Sequence, residues 1–292
     1  MGLREHGEEA ERLFPSFFSE RRMASIGGAI KDFRQLDLMA TGNTGAHRLD
    51  ARAKVLATLV FILAVVSVGK YELAALFPFF LYPAVLMALG NLPARHIARK
   101  VMVVLPFALM VGMFNPLFDQ TVLVRLGPLG ISGGWLSCAS ILVRATLTVG
   151  AALILVGITG FPAICQALDQ LGMPRIFTVQ LLFLYRYLFV LSEEGGRTAR
   201  ARELRAFGNK GLGWRSYGSL VSHLLLRTWL RAERIHLAML ARGFTGEFHP
   251  RRTTRFGGRE FLFLAGWSGL FLLFRLVNVS QLLGTIVTGV LG

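Results

Sequence analysis

The stretch VLATLVFILAVVSV, from Val55 to Val68, decides the fold because it is long, apolar and free of charged side chains. A second stretch of the same kind, VMVVLPFALMVGMFNPLF, runs from Val101 to Phe118. Such runs are typical of helices immersed in lipid, where the backbone must satisfy its own hydrogen bonds. The sequence therefore predicts an integral membrane protein.

The composition agrees with this prediction. Of the 292 residues, 53% are hydrophobic and only 17% are charged, whereas a soluble domain has about 25% charged residues. Five apolar stretches are long enough, or nearly long enough, to cross a bilayer. The predicted fold class is therefore all-α, with about five transmembrane helices. We place these helices at about 54–69, 71–90, 101–118, 134–160 and 260–280.

The positions of the basic residues predict the orientation in the membrane. Arg and Lys are concentrated before the first span, between the second and third spans, and in the long link 161–256. The opposite links, around Gly69–Lys70–Tyr71 and Asp119–Pro128, hold one basic residue each. The positive-inside rule makes the basic side cytoplasmic. The amino terminus is then inside and the carboxyl terminus outside.

We predict four segments along the chain. Residues 1–53 form a cytoplasmic amino-terminal segment, and residues 54–160 hold the first four transmembrane helices. Residues 161–256 form a cytoplasmic region of two long amphipathic helices, and residues 257–292 form a carboxyl-terminal transmembrane segment. The cytoplasmic region is too long for a simple loop and is not of low complexity, so function is expected there.

Two helices are predicted in this cytoplasmic region. The first follows an apolar stretch, Phe177–Val190, and runs from Glu193 to Phe207, where Gly208 ends it. The second runs from Trp214 to Arg242 and stops at Gly243, the residue type that most often follows the end of a helix.

The second predicted helix has two unlike faces, which lie on opposite sides at helical spacing. The basic face holds Arg227, Arg231, Arg234 and Arg242, and the apolar face holds Leu225, Trp229, Ala232 and Met239. In one interpretation the apolar face packs on protein while the basic face meets an acidic or polar partner. In the other, anionic lipid holds the helix at the membrane surface. Periodicity favours neither.

Several kinds of chemistry have no sequence pattern in this chain. It has no GxxxxGK[ST] phosphate loop, no HExxH, and no GxSxG or Ser/His/Asp set. The six histidines show no metal-ligand spacing, and the predicted spans lack the acids of a proton-driven carrier. Cys138 and Cys165 form no CxxC pair and are interpreted as packing residues. We expect no catalytic residue, cofactor or metal on this chain.

The net charge of +15 does not indicate nucleic acid. Most of the 23 Phe lie inside apolar blocks, where contact with lipid or with other helices accounts for them, and not on a basic soluble surface. The partner that this distribution predicts is the lipid bilayer.

Two arginines, Arg144 and Arg186, lie deepest in apolar sequence. A charge at the middle of a bilayer costs about 2.5–3.5 kcal/mol on insertion scales. We therefore expect Arg144 to face a helix interior or a partner subunit, and Arg186 to lie near the cytoplasmic interface.

The end of the second helix carries the sequence AMLARGFTG, residues 238–246, which resembles the AMxARGFxG signature of energy-coupling-factor (ECF) T components. The motif HRLDARAK, residues 47–54, resembles the HRLDPRxK motif of that family, with Ala51 where proline is usual. FNPLF at 114–118 and LYRYL at 184–188 are similar to the cobalt branch, CbiQ. The likeness covers about residues 36 to 250.

The resemblance implies which residues act. In this family two cytoplasmic coupling helices each end in an arginine that docks on an ABC-type ATPase subunit. The docking residues implied here are Arg205, Ala206, Ala241, Arg242 and Gly243, with Arg202 and Arg234 in support. The earlier helix lacks a plain ARG motif, so Arg202 is the alternative to Arg205. Arginine suits docking because its guanidinium stays charged and forks onto carboxylates or carbonyls.

The resemblance also implies partners and cargo. The expected partners are two ABC-type ATPase subunits, which bind ATP and Mg²⁺, and a metal-binding S component in the membrane. This chain would be a non-catalytic subunit in the bacterial inner (plasma) membrane, for uptake of cobalt or nickel, with a link to cobalamin biosynthesis. The alternatives are a vitamin-type T component, a membrane-embedded lipid-modifying enzyme, and a self-sufficient channel or carrier.

Overall fold

The computed structural model describes residues 39–40, 42, 44–118, 122–126, 129–205, 214–246 and 257–276. The chain divides into two compact units. The core unit comprises Leu36–Leu171 and Arg252–Gly292, and the helix-pair unit includes Gly172–Arg251. In the division predicted from the sequence, the cytoplasmic region begins at residue 161 and not at Gly172. That functional division stays a prediction.

The core unit contains most of the secondary structure. Its elements are α1 (Gly45–Arg48), α2 (Ala51–Ser67), a 3₁₀ helix (Ala74–Phe80), α3 (Leu81–Gly90), α4 (Ala94–Gly112), α5 (Asn115–Phe118), β1 (Val122–Leu126), β2 (Leu129–Ser132), α6 (Gly133–Thr159), α7 (Phe161–Gln170) and α10 (Gly258–Leu276). The helix-pair unit contains α8 (Arg175–Arg205) and α9 (Trp214–Ala241).

Each predicted span falls on helical structure within the described residues, and the part of the fifth span after Leu276 lies outside them. The second span is divided into the 3₁₀ helix and α3, because Pro78 and Pro83 each lack the amide that an α-helix needs. The third span is divided into α4 and α5. By length and composition alone, two helices of the described chain suffice to cross a membrane, namely Gly133–Thr159 and the part Arg175–Ala201 of α8. The helical nature of the spans is confirmed, whereas their number stays a prediction.

A β-hairpin lies between α5 and α6, within a described fold that is otherwise helical, as the all-α prediction expects. Strands Val122–Leu126 and Leu129–Ser132 pair antiparallel, with Leu126 opposite Leu129 and Arg125 opposite Gly130. The first strand reads VLVRL, in which β-branched valines alternate as strands favour. The sequence predicts only a link between spans here, because a run of four or five residues is too short to indicate a strand.

Aromatic side chains form the centre of the core unit. Phe61 of α2 stacks on Tyr82 of α3 with ring centroids 4.7 Å apart, and it meets Phe271 of α10 edge-on at 5.3 Å. The hydroxyls of Tyr82 and Thr58 share a buried hydrogen bond of 2.8 Å. Aromatic pairs of this geometry contribute about 0.5–1.5 kcal/mol beyond the area they bury. The cluster therefore ties α10, the last helix that the structure describes, to α2.

The HRLDARAK motif starts α2 and attaches it to α7. Asp50 caps the helix, since its carboxylate accepts from the Arg52 amide at 2.9 Å. The Arg52 side chain donates to the Gln170 side chain at the end of α7. His47 closes the preceding turn through Thr44 at 2.6 Å. The motif therefore builds the edge of the core unit next to the break at Leu171.

Arg144 of α6 caps the end of α2. Its guanidinium donates to the carbonyls of Val68 at 2.7 Å and Gly69 at 2.8 Å. The last turn of α2 has no basic residue of its own, and a cation at this position offsets the negative end of the helix dipole. Arg275 of α10 donates to Ser67 at 3.2 Å in the same turn. The prediction that Arg144 faces protein is confirmed.

Helix α8 begins earlier than predicted. The apolar stretch 177–190 and the basic stretch after it form one helix, Arg175–Arg205, and the predicted end at Phe207 lies outside the described residues. No proline interrupts this range, and the change from apolar to basic sequence does not alter the backbone. Gly195 and Gly196 lie within the helix at a cost of about 1 kcal/mol each.

Candidate functional site

The turn after α9 displays an arginine. The amide of Gly243 donates to the Leu240 carbonyl at 2.9 Å, and the amide of Phe244 donates to the Met239 carbonyl at 3.0 Å. This pair of bonds defines a Schellman turn. Gly243 has φ +76°, which a side chain would oppose. The ARGF sequence thus fixes the helix end, and the predicted stop at Gly243 is confirmed.

Arg242 is the capping residue of this turn. It directly follows Ala241, the last residue of α9, and its amide donates to the Met239 carbonyl at 3.0 Å. Its side chain is exposed. A guanidinium held beyond the last helical turn is free to fork onto carboxylates or carbonyls of another protein.

The other predicted docking residues lie at the end of α8 or along α9. Arg205 is the last residue of α8 and is exposed. Ala206 lies outside the described residues, as does the side chain of Arg202. Arg234 is exposed on α9, where its Nε donates to the Leu230 carbonyl of the same helix at 3.1 Å. The docking role of each stays a prediction.

Helices α8 and α9 cross in antiparallel orientation. Glu194 of α8 contacts Arg227 and Arg231 of α9 at 3.2 and 3.7 Å. Just after Glu194, a Cβ on Gly195 would lie 3.6 Å from Leu224. Residues that come later in α8 lie beside residues that come earlier in α9. These contacts show that the chains of the two helices run in opposite directions.

The structure therefore does not bring the two docking arginines together. Arg205 follows Glu194 by 11 residues and Arg242 follows Arg227 by 15 residues, and each helix leads away from the crossing in its own direction. At 1.5 Å per residue, these lengths are about 16 and 22 Å. The exposed arginines are thus at opposite ends of the pair.

A groove of about 300 Å³ lies beside the crossing, on the side of Arg205. Its lining combines apolar and basic side chains, and comprises Thr198, Ala201, Arg205, Leu220, His223, Leu224 and Arg227. The sequence missed this groove and the role of Glu194. The sequence feature that could have predicted the contact with Glu194 is the pair Arg227 and Arg231, because residues four apart on one helix face can share a carboxylate.

The two faces of α9 have different neighbours. Part of its basic face meets Glu194 of α8 and not an external partner. On the apolar face Leu225 is 67% exposed and Trp229 is 72% exposed, so these side chains do not pack on α8. An exposed apolar surface of this kind marks a protein or membrane contact.

The titratable groups of the described residues form no metal-binding cluster. Within the described part of the chain, no three His, Cys, Asp or Glu side chains converge on a point where a metal could bind. Cys138 and Cys165 are buried free thiols, as the packing interpretation requires. Burial raises the pKa of the Cys165 thiol, which keeps it protonated and unreactive near neutral pH.

Three relatives are similar to this chain. The cobalt transport protein CbiQ of Salmonella typhimurium is 30% identical over 158 residues, 50% of this chain and 70% of that protein. The energy-coupling factor transporter transmembrane protein EcfT of Heliobacterium modesticaldum is 28% identical over 249 residues, 78% of this chain and 91% of that protein. An uncharacterized protein of Methanocaldococcus jannaschii is 25% identical over 211 residues, 69% of this chain and 72% of that protein.

The family of cobalt transport proteins, CbiQ, matches residues 42–254. This range is more than half of the chain, and it includes the HRLDARAK helix start, both helices of the helix-pair unit and the arginine turn at Gly243. The resemblance found in the sequence is confirmed. The chain belongs to the CbiQ family, the cobalt-type transmembrane T components of ECF transporters.

Proposed function

We propose that this chain couples ATP hydrolysis on partner subunits to uptake through a substrate-binding membrane subunit. The antiparallel helix pair is the observation that carries the proposal. Arg205 and Arg242 are exposed at its two ends, and Glu194 connects the helices between them. Two separated docking arginines suit two ATPase subunits, one at each end. Nucleotide-driven movement of the ATPases would reorient the helix pair.

The exposed apolar face of α9 is the surface that we assign to the substrate-binding subunit. Leu225 and Trp229 project away from α8, and aromatic and leucine side chains are typical of the centres of protein interfaces. The chain itself is non-catalytic in this proposal, and hydrolysis of ATP with Mg²⁺ takes place on the ATPases. The complex resides in the bacterial inner membrane, with the helix pair on its cytoplasmic side.

The cargo that we propose is Co²⁺ or Ni²⁺. The match to the cobalt transport family supports this choice. The match to EcfT over 91% of that protein favours a second candidate, a general T component whose cargo is set by the S component. Uptake of radioactive cobalt, nickel and a vitamin by the complex assembled with each candidate S component separates the two.

Co-purification tests the docking. The tagged chain is co-expressed with the ATPase and S subunits, and the complex is isolated in mild detergent. We expect Arg205→Glu and Arg242→Glu each to weaken ATPase binding about 10- to 100-fold, because each removes charge-assisted hydrogen bonds. Arg200→Glu is the matched control, since Arg200 is also exposed on α8 but precedes its end. Unchanged recovery of the ATPases with the double variant would contradict the proposal.

A further inference from the structure

Glu194 is the point at which α8 and α9 are tied together. Its Oε1 accepts from Nη1 of Arg227 at 3.2 Å, and its Oε2 lies 3.7 Å from Nη1 of Arg231. The Glu194 side chain is only 21% exposed, whereas the arginines are 69% and 48% exposed. The next residue, Gly195, lets Leu224 approach the α8 backbone. The ion pairs therefore lie at the close approach of the two helices.

Packing around this point is thin on the side of Arg205. The groove of about 300 Å³ separates parts of α8 and α9 there, and the buried side chains beside the crossing are small or few, such as Ala199 and Leu220. Helices that interdigitate tightly have their crossing angle set by packing. Here the carboxylate between two guanidinium groups is the better-defined contact.

The angle at this crossing governs the positions of both arginine ends. The arms from the crossing to Arg205 and Arg242 are about 16 and 22 Å long. A rotation of about 10° at the crossing would displace each end by about 3–4 Å on arms of this length. A displacement of that size is comparable with the length of a hydrogen bond. If the crossing could rotate this far freely, movement imposed at one arginine end would not reach the other.

We propose that Glu194 is a positioning residue that fixes the crossing of α8 and α9, so that movement imposed at one arginine end reaches the other. This inference rests on the proposed coupling function. Without the carboxylate, Arg227 and Arg231 would face each other as like charges four residues apart, which is unfavourable on a helix. Glu194 touches neither ATPase nor cargo in this account and acts only through the helix pair.

Three variants test the role of Glu194. Glu194→Gln removes both ion pairs and keeps the size of the side chain. Glu233→Gln is the matched control, because it makes the same change on an exposed glutamate of α9. The triple variant Glu194→Arg, Arg227→Glu and Arg231→Glu reverses the charges and restores opposite-sign contacts.

The first readout is the coupling ratio, the amount of ⁵⁷Co²⁺ taken up per ATP hydrolysed by the complex in proteoliposomes. We expect Glu194→Gln to keep the ATPases bound and active while this ratio falls about three- to tenfold, the range that loss of two exposed ion pairs predicts. Glu233→Gln should match the wild type, and the charge-reversed variant should recover most of the ratio. An unchanged ratio in Glu194→Gln would overturn the inference.

The second readout does not depend on cargo or ATPases. Spin labels at Leu204→Cys and Leu240→Cys, both exposed positions, report the distance between the helix ends in the full-length chain with Cys138 and Cys165 replaced by alanine. We expect a narrow distance distribution in the wild type and the charge-reversed variant, and a broad one in Glu194→Gln. Equal widths would overturn the inference even if the proposed function holds. If Glu194→Gln broadens the distribution but the wild-type chain binds no ATPase, the inference about the crossing holds and the proposed function is contradicted.

Discussion

At the scale of single residues, Gly243 adopts a left-handed backbone conformation that the residues beside it do not. Its φ of +76° closes the turn that holds Arg242 beyond the helix, and this backbone conformation costs other residues about 1–2 kcal/mol. A docking arginine needs a defined direction as well as a charge. In the proposed docking, the glycine of the ARG motif would therefore act by directing Arg242 and not by touching the partner.

Gly243→Ala should weaken ATPase binding although Arg242 keeps its charge, because relaxing the strained turn reorients the guanidinium. We expect a loss of about 5- to 30-fold, the equivalent of the 1–2 kcal/mol that the turn would cost. Quantitative co-purification measures it. Gly218→Ala is the control, since a Cβ there meets nothing within 4 Å and alanine favours a helix. Equal binding by both variants would argue against the turn.

Loss of the Arg144 side chain should weaken the core unit. Arg144→Ala would leave the Val68 and Gly69 carbonyls without their guanidinium donor, and hydrogen bonds to charged groups contribute about 1.5–3 kcal/mol. We expect a clear fall in thermal stability in detergent. Arg186→Ala, at an exposed arginine of α8, should change stability little. A stability of Arg144→Ala equal to that of the control would show that the cap contributes nothing.

At the scale of elements, the apolar composition of α8 and the basic residues that follow it indicate different locations for this helix. Its range Arg175–Ala201 is apolar enough to cross a membrane, and Ile176, Phe177 and Leu184 are exposed. If α8 crossed the bilayer, however, the basic residues from Arg205 to Arg242 would lie outside, against the positive-inside rule. An apolar helix that contacts the membrane or the S component from the cytoplasmic side satisfies both observations.

Labelling with a membrane-impermeant maleimide determines the location of the helix pair. Single cysteines at Leu204 and Leu240, in a background without Cys138 and Cys165, should react in inverted vesicles and not in right-side-out vesicles. The reason is that both positions are exposed and belong to the cytoplasmic region in this account. Labelling of both from outside would mean that α8 is a sixth span and would exclude docking on cytoplasmic ATPases.

Among the elements, the sequence predicted best those whose residue pattern extends over many positions. Long apolar blocks predicted the helices of the core unit, and glycine chemistry predicted the end of α9 at Gly243. The hairpin Val122–Leu126 and Leu129–Ser132 was missed because a strand of four or five residues gives too short a pattern. The early start of α8 was missed because a helix can change from apolar to basic along its length without a break.

At the scale of the whole molecule, the chain combines a packed core unit with a helix pair whose exposed surface is basic at its ends and apolar on one face. The sequence identified the family and named Arg205 and Arg242 as candidates, because their motif is local. It did not predict that Glu194 joins the two helices or that the arginines lie at opposite ends. Those features depend on how α8 and α9 cross, which pairs residues that are distant in sequence.

The most direct test of the coupling account is photocrosslinking from the two arginine ends in the assembled complex. A photoreactive amino acid replaces the exposed neighbours Leu204 or Leu240 singly, or both together, so that Arg205 and Arg242 stay in place, and the products are resolved by mass. We predict that each single position crosslinks to one ATPase subunit, and that the double variant yields a product containing this chain and two ATPases. Crosslinks from both positions to lipid alone, with no ATPase adduct, would contradict the account.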